Sequence, residues 1–281
     1  MRLALLLAVA AFAAWQTPAH ADAADVAICD RLAAHPDDLD KPADIKGTLD
    51  IPKAYIPNAL RTCKAAASAP NASPRMWAQL GRVYEFNHQP AEAAKAYRKA
   101  ANGGNATGMV GLGVLLINGE GITKDLGEAR ALLEKAANAG DVGGMTNLAA
   151  MYGAGVGVAV DFAMARKWYG KAAEANSSEG LFQLGLMTQD GDGGPKDDVA
   201  AKALFEKAAA LDNGGALERL GAYAEQGRAG DKDEKAAIAY YKKAAALGSD
   251  DAAKALERMR CPFAMKDKDG KSAGRICFDG K

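Results

Sequence analysis

The chain repeats itself every 36 residues, and that period limits its fold more than any other feature. Lys-Ala-Ala begins at Lys99, Lys135, Lys171, Lys207 and Lys243. Six residues before each Lys stands an alanine: Ala93, Ala129, Ala165, Ala201 and Ala237. Two before it stands a large side chain: Tyr97, Leu133, Tyr169, Phe205 and Tyr241. A second series runs Leu112, Leu148, Leu184 and Leu220, echoed at Leu256. A third is Gly119, Gly155, Gly191 and Gly227, and a fourth is Asp125, Asp161, Asp197 and Asp233. Several independent series on one period specify a stack of like units. The length of 281 residues alone suggests two domains. The repeat replaces that expectation with one capped array, because each unit leans on the next.

Composition says what the units are made of. Ala supplies 64 residues and Gly 31, while aromatics are only 6%. So little bulk argues against a sandwich or barrel, and Ala at this density suits closely packed helices. Lys plus Arg and Asp plus Glu are equal at 35 each, which leaves no basic footprint for nucleic acid. Val142 to Tyr152 reads as a first helix, A. Gly153-Ala154-Gly155-Val156-Gly157 forces a turn. Asp161 then stands where an N-cap belongs, opening a second helix, B, from Phe162 to Ala175. Ala165 and Ala172 are small enough to let A and B approach, with Tyr169 filling the space toward the neighbouring unit.

These residues resemble the Sel-one-like repeat (SLR), a relative of the tetratricopeptide repeat. The best copy, Gly143 to Asn176, carries Leu148, Tyr152, Gly155-Val156-Gly157-Val158, Asp161, Ala165, Trp168-Tyr169 and Lys171-Ala172-Ala173. SLR copies are expected at 105–140, 141–177, 178–213 and 214–249. Before them, 75–104 looks like a plain tetratricopeptide unit, with Asn87-His88-Gln89-Pro90 in place of the glycine turn. The resemblance implies an all-α, right-handed solenoid of helix-turn-helix repeats, and mostly a binding role.

Both ends depart from the pattern. Met1-Arg2, the apolar run Leu3 to Ala14 and Ala19-His20-Ala21 read as a secretory signal peptide, 1–21, cleaved before Asp22. The run is too short for a membrane span of roughly 20 residues. Residues 22–74 form an N-terminal cap and linker, with helices over Ala27–Ala34 and Ala54–Ala67. Residues 250–281 hold a last helix A, Asp250–Met259, and a tail. Export permits disulfides among Cys29, Cys63, Cys261 and Cys277. Four cysteines allow three pairings. Two lie near each end, and a solenoid between them is too long to bridge, so the expected pairs are Cys29–Cys63 and Cys261–Cys277. The second would close a small hairpin turning at Asp269-Gly270.

Chemistry is sparse. His35 and His88 stand in expected loops, without a nucleophile and a third partner beside them. No strand precedes the glycine turns, as a dinucleotide fingerprint requires. No clustered metal ligands occur, so neither metal nor cofactor is expected. By the resemblance, the face lined by helix A is a concave groove for a protein or peptide segment. Its positions here include Arg82, Thr107, Val110, Val114, Ile117, Asn118, Thr146, Glu179, Phe182, Leu186 and Gln189. Its middle is apolar over small residues such as Ala150, Gly153 and Ala154, though Val110, Val114 and Phe182 would serve equally well inside the solenoid. The function expected is a non-enzymatic, periplasmic or secreted scaffold that binds another protein and regulates an envelope sensor or assembly. It would not bind nucleic acid or stay in the membrane after cleavage. The alternative is an envelope enzyme or binder acting on peptidoglycan or β-lactams. The SLR group linked to β-lactams carries cysteines in every repeat, and these repeats carry none.

Overall fold

The structure, a computed structural model, describes residues 23–260, 263–266 and 272–276. The expected signal peptide, Cys261, Cys277 and the turn expected at Asp269-Gly270 lie outside the described residues. Helix α1 (Ala23–Ala33), a 3-10 turn (Lys53–Tyr55) and α2 (Ile56–Ala67) precede the repeats. The helix pairs follow: α3 (Pro74–Phe86) with α4 (Pro90–Asn102), α5 (Ala106–Asn118) with α6 (Leu126–Asn138), α7 (Val142–Ala154) with α8 (Phe162–Glu174). Then come α9 (Ser178–Asp190) with α10 (Asp198–Ala209), and α11 (Gly214–Gln226) with α12 (Glu234–Ala246). Helix α13 (Asp250–Arg260) is an A helix without a B. Strands β1 (Phe263–Lys266) and β2 (Ser272–Ile276) pair antiparallel, Phe263 opposite Ile276. That hairpin is the one departure from an all-helical fold among the described residues. The chain divides into two compact units, residues 1–108 and 109–281, where the repeat had suggested one array.

Side-chain caps set the helix starts. Asp125, Asp161, Asp197 and Asp233 accept from amides at the first turn of α6, α8, α10 and α12, at 2.8–2.9 Å. Helices α5, α7, α9, α11 and α13 are capped the same way by Asn105, Asp141, Ser177, Asn213 and Ser249, whereas α3 and α4 start without a side-chain cap. Each such cap is worth roughly 1 kcal/mol. The B helices end on a further series of period 36, Gly104, Gly140, Asn176, Asp212 and Gly248, all with φ between 57° and 94°. Asn and Asp are the side chains that best tolerate this left-handed region. In the turns between A and B, Gly121, Gly157 and Gly193 take φ of 67–68°, and Ala229 is held at 52° in the last copy.

Two close approaches build each stack. Within a pair, the residue after the repeat Leu faces the large residue on helix B. A Cβ built on Gly81 would lie 2.5 Å from the Tyr97 ring, on Gly185 2.6 Å from Phe205, and on Gly221 2.6 Å from Tyr241. Between pairs, the first Ala of Lys-Ala-Ala meets the next A helix. A Cβ on Gly144 would lie 2.8 Å from Ala136 Cβ, and on Gly180 2.6 Å from Ala172 Cβ. Ala172 therefore joins helix B to the following A helix and shares a core cluster with Leu148 and Ala149 of its own. Tyr169 borders Ala150 and Gly153 of its own A helix and Gln183 and Met187 of the next, and Phe205 at the same position meets Tyr223 of the next pair edge-on, at 5.8 Å between centroids. Ala165 keeps its expected place, 3.6 Å from a Cβ built on Gly153 of its own A helix.

Two substitutions separate these effects. Gly221→Val should lower the urea midpoint, by overpacking worth about 2 kcal/mol. Ala229→Gly should raise it by about 1 kcal/mol, by relieving the left-handed alanine.

Candidate partner-binding face

In the first unit the A-helix face is already covered by the chain's own cap. Asp30 of α1 is buried and accepts from Arg75 Nε and Nη2, both at 3.2 Å, and from Gln79 Nε2 at 2.8 Å. Arg82, expected to line the groove, is only 6% exposed. Its guanidinium donates to the carbonyls of Ala33 and Thr48, both at 2.7 Å, and lies over the Phe86 ring. Arg82 thus holds the cap, and a partner cannot use it without displacing α1. The Cys29–Cys63 disulfide ties α1 to α2, as expected, with Cα atoms 5.0 Å apart. Thr107 is half-buried, and its hydroxyl is buried without a hydrogen bond.

The same unit contains a buried carboxylate. Asp38 Oδ1 accepts from Asp40 N and from Asn105 Nδ2, while Oδ2 has no partner. Burial pushes the Asp38 carboxyl above its usual value, and the nearby Asp40 adds to this against the hydrogen bonds and Arg75. His88 stands exposed at the rim of a cavity of about 480 Å³, beside Ile51, Ile56 and Phe86. Burial, then Arg82, holds the His35 imidazole below its usual value.

In the second unit, about half the expected groove is stack. Val110 lies 3.4 Å from a Cβ built on Gly143, and the Phe182 ring 2.8 Å from one built on Gly215. In these two copies the position two before the repeat Leu therefore packs on the A helix of the next pair. Val110 and Ile117 join the core of Leu133, Met145 and Leu148. Phe182 and Leu186 join that of Phe205 and Tyr223, with Phe182 and Phe205 centroids 6.0 Å apart. Gln189, also expected to face a partner, is 6% exposed and donates to Asp190 at 3.0 Å. Its burial follows from the same packing of α9. The Thr146 hydroxyl, half-buried, donates to the Val142 carbonyl at 3.1 Å.

What still faces outward is narrower. Val114 is half-exposed, and Asn118, Ala150, Ala154, Glu179 and Asp190 are exposed. Asn118 donates to Glu120 at 3.0 Å, and Glu179 accepts from Gln183 at 2.7 Å. Burial, then the charge of Glu179, pushes the Tyr169 hydroxyl up to about 12. A cavity of about 270 Å³ opens beside Ala150, Gly153 and Ala154. Its other walls include Phe162, Gln183, Met187 and Asp192, which sequence reasoning passed over. Among the described residues, no group of three or more His, Cys, Asp or Glu is placed to hold a metal ion, and no helix is long and apolar enough to cross a membrane.

The Sel1 repeat model matches residues 106–141, 143–177, 178–213 and 215–249. This chain belongs to the Sel1 repeat family. A Sel1 repeat protein from Oxalobacter formigenes superposes with a TM-score of 0.68 at 28% identity, over 74% of this chain and 88% of that one. The protective antigen c5321 of uropathogenic Escherichia coli, which displays an SLR fold, is 32% identical with a TM-score of 0.61. That match covers 75% of this chain and 45% of the antigen. PilF of Pseudomonas aeruginosa shares the fold at 18% identity, with a TM-score of 0.55 over 73% of this chain and 90% of its own. No curated protein matches the sequence. Sel1 repeat proteins generally mediate protein–protein interaction, and the family is generally non-catalytic.

Burial makes two expectations testable by chemical denaturation. Arg82→Ala should destabilise the first unit by about 3 kcal/mol, since it leaves buried carbonyls unpaired, while Asn118→Ala should stay within roughly 0.5 kcal/mol. Asp38 binds its proton more tightly folded than unfolded, so its contribution is greatest in acid and is lost as pH rises through the raised value. Asp38→Asn should therefore stabilise the first unit at pH 7 and give less at pH 4.

Proposed function

We propose that this Sel1 repeat protein is an exported, non-enzymatic scaffold that binds a protein segment along the A-helix face of its second unit. Two observations support this reading. The cap covers the A-helix face of the first unit, so Arg75 and Arg82 are committed to Asp30 and to backbone carbonyls. On the second unit Val114, Asn118, Ala150, Ala154, Glu179 and Asp190 remain turned outward. The first of these carries the proposal: a surface that the chain itself caps with a helix is one that recognises helical or extended segments by apolar contact and a few charged hydrogen bonds. A neutral surface at 35 positive and 35 negative residues would select by shape rather than by long-range attraction. The A-x-A site at Ala19-His20-Ala21 supports export to the periplasm, and the Cys29–Cys63 disulfide suits an oxidising compartment. Regulation of an envelope sensor or assembly is the role that fits such a scaffold.

Intact mass of the periplasmic protein should correspond to a chain beginning at Asp22. Retention of residues 1–21 in the cytoplasmic fraction would contradict export. Crosslinking in cells should join the wild type to a discrete partner, and Asn118→Arg with Glu179→Arg should cut that yield about tenfold, a loss typical of a contact worth 1.4 kcal/mol. An unchanged yield would remove the face from the proposal.

A further inference from the structure

One repeat lacks the side chains that fill the same place in its neighbours. The positions two, five and six after the repeat Leu are Val114, Ile117 and Asn118 in one copy and Leu186, Gln189 and Asp190 in another. Ile117 and Leu186 pack into the core there, and Gln189 is buried. In the fifth copy Glu225 stands at this place, held by Arg258 Nη2 and by the Tyr241 hydroxyl. Between them the third copy has Ala150, Gly153 and Ala154, and here a cavity of about 270 Å³ opens. Its floor is Ala165, its apolar walls are Phe162, Tyr169 and Met187, and Asp192 stands at its edge. Phe162 is 42% exposed, unusual for a phenylalanine beside a core.

From this we infer that the slot receives one bulky apolar side chain of a partner protein, with a lysine or arginine next to it in the partner's sequence. The inference rests on the scaffold reading and names the chemistry of its partner. Size favours a side chain, because small-molecule sites run from roughly 300 to 1,000 Å³. The walls are apolar, so the occupant is apolar. Charge selects its neighbour: Asp192 is the charged residue lining the slot, the charge of Glu179 acts on the Tyr169 hydroxyl in its wall, and no basic residue lines the slot. The Arg166 guanidinium donates to the Met187 and Asp192 carbonyls and to the Thr188 hydroxyl, so its positive charge stands at the same edge. Asp192 and Glu179 still outnumber it two to one, so a cation beside the anchor meets net negative charge.

The test pans a phage-displayed library of random dodecapeptides against the mature protein and counter-selects on Ala150→Leu, which places in the slot the residue that Leu186 supplies one copy later. Enriched peptides should share a Phe, Leu, Met or Trp flanked by Lys or Arg. Synthetic versions should bind Ala150→Leu at least about tenfold more weakly, the loss expected for one unburied apolar side chain. Asp192→Asn should weaken the basic peptides several-fold and leave their Lys- or Arg-to-Ala versions unaffected. Unchanged melting of Ala150→Leu shows that it folds, and Ala154→Gln, the residue found at Gln226, replaces it if it does not. An absence of enrichment, enrichment of acidic peptides, or equal binding to the filled variant would overturn the inference. Self-association of the wild type that Ala150→Leu abolishes would instead give the slot to a second copy and also overturn it. If cellular crosslinks survive Ala150→Leu, the scaffold stands and the slot falls; if the wild type forms none, the scaffold itself falls.

Discussion

Everything in each stack depends on how close the Lys-Ala-Ala turn can come to the next A helix. At Gly144 and Gly180 a side chain would meet alanine backbone and Cβ atoms inside 3 Å, so the two helices touch main chain to main chain. Ala136 and Ala172, fully buried, are as large as this contact allows. Its recurrence every 36 residues explains why the chain is rich in Ala and Gly. Bulk is needed only once per pair, where Tyr97, Phe205 or Tyr241 lies against a glycine. The period, the composition and the low aromatic content are thus one fact seen three ways.

That closeness also decides which side chains are left for a partner. Neighbouring A helices sit near enough for Phe182 to cover Gly215 and Val110 to cover Gly143, so residues that look like binding anchors become mortar. The outward face is made from what remains, chiefly small and acidic residues of α7 and α9. In the first unit the same kind of face meets α1, and its charged residues turn inward to hold it. The tight pairing of Arg82 with two carbonyls and of Asp30 with Arg75 and Gln79 makes the cap part of the fold.

Most of this architecture was legible in the residues. The Lys-Ala-Ala series placed the B helices, the Asp series placed their N-caps, and the position of Cys29 and Cys63 together at one end of the repeats placed the disulfide. Other features were harder to see for identifiable reasons. The left-handed series at 104, 140, 176, 212 and 248 hid because three residue types fill it. Arg82 read as a groove residue because its partners, Ala33 and Thr48, lie 49 and 34 positions away and share no pattern with it. Phe182 and Gln189 depend on how the next A helix sits, which local periodicity does not carry. The absent side chains at Ala150, Gly153 and Ala154 were visible as small residues, but their meaning required the filled neighbours.

The most direct test of the account is hydrogen exchange on Gly180→Leu. If main-chain approach between repeats holds each stack, the variant should lose amide protection in α8 and α9 first, with α3 and α4 still protected. Unchanged protection across α8 and α9, or an even loss over the whole chain, would contradict it.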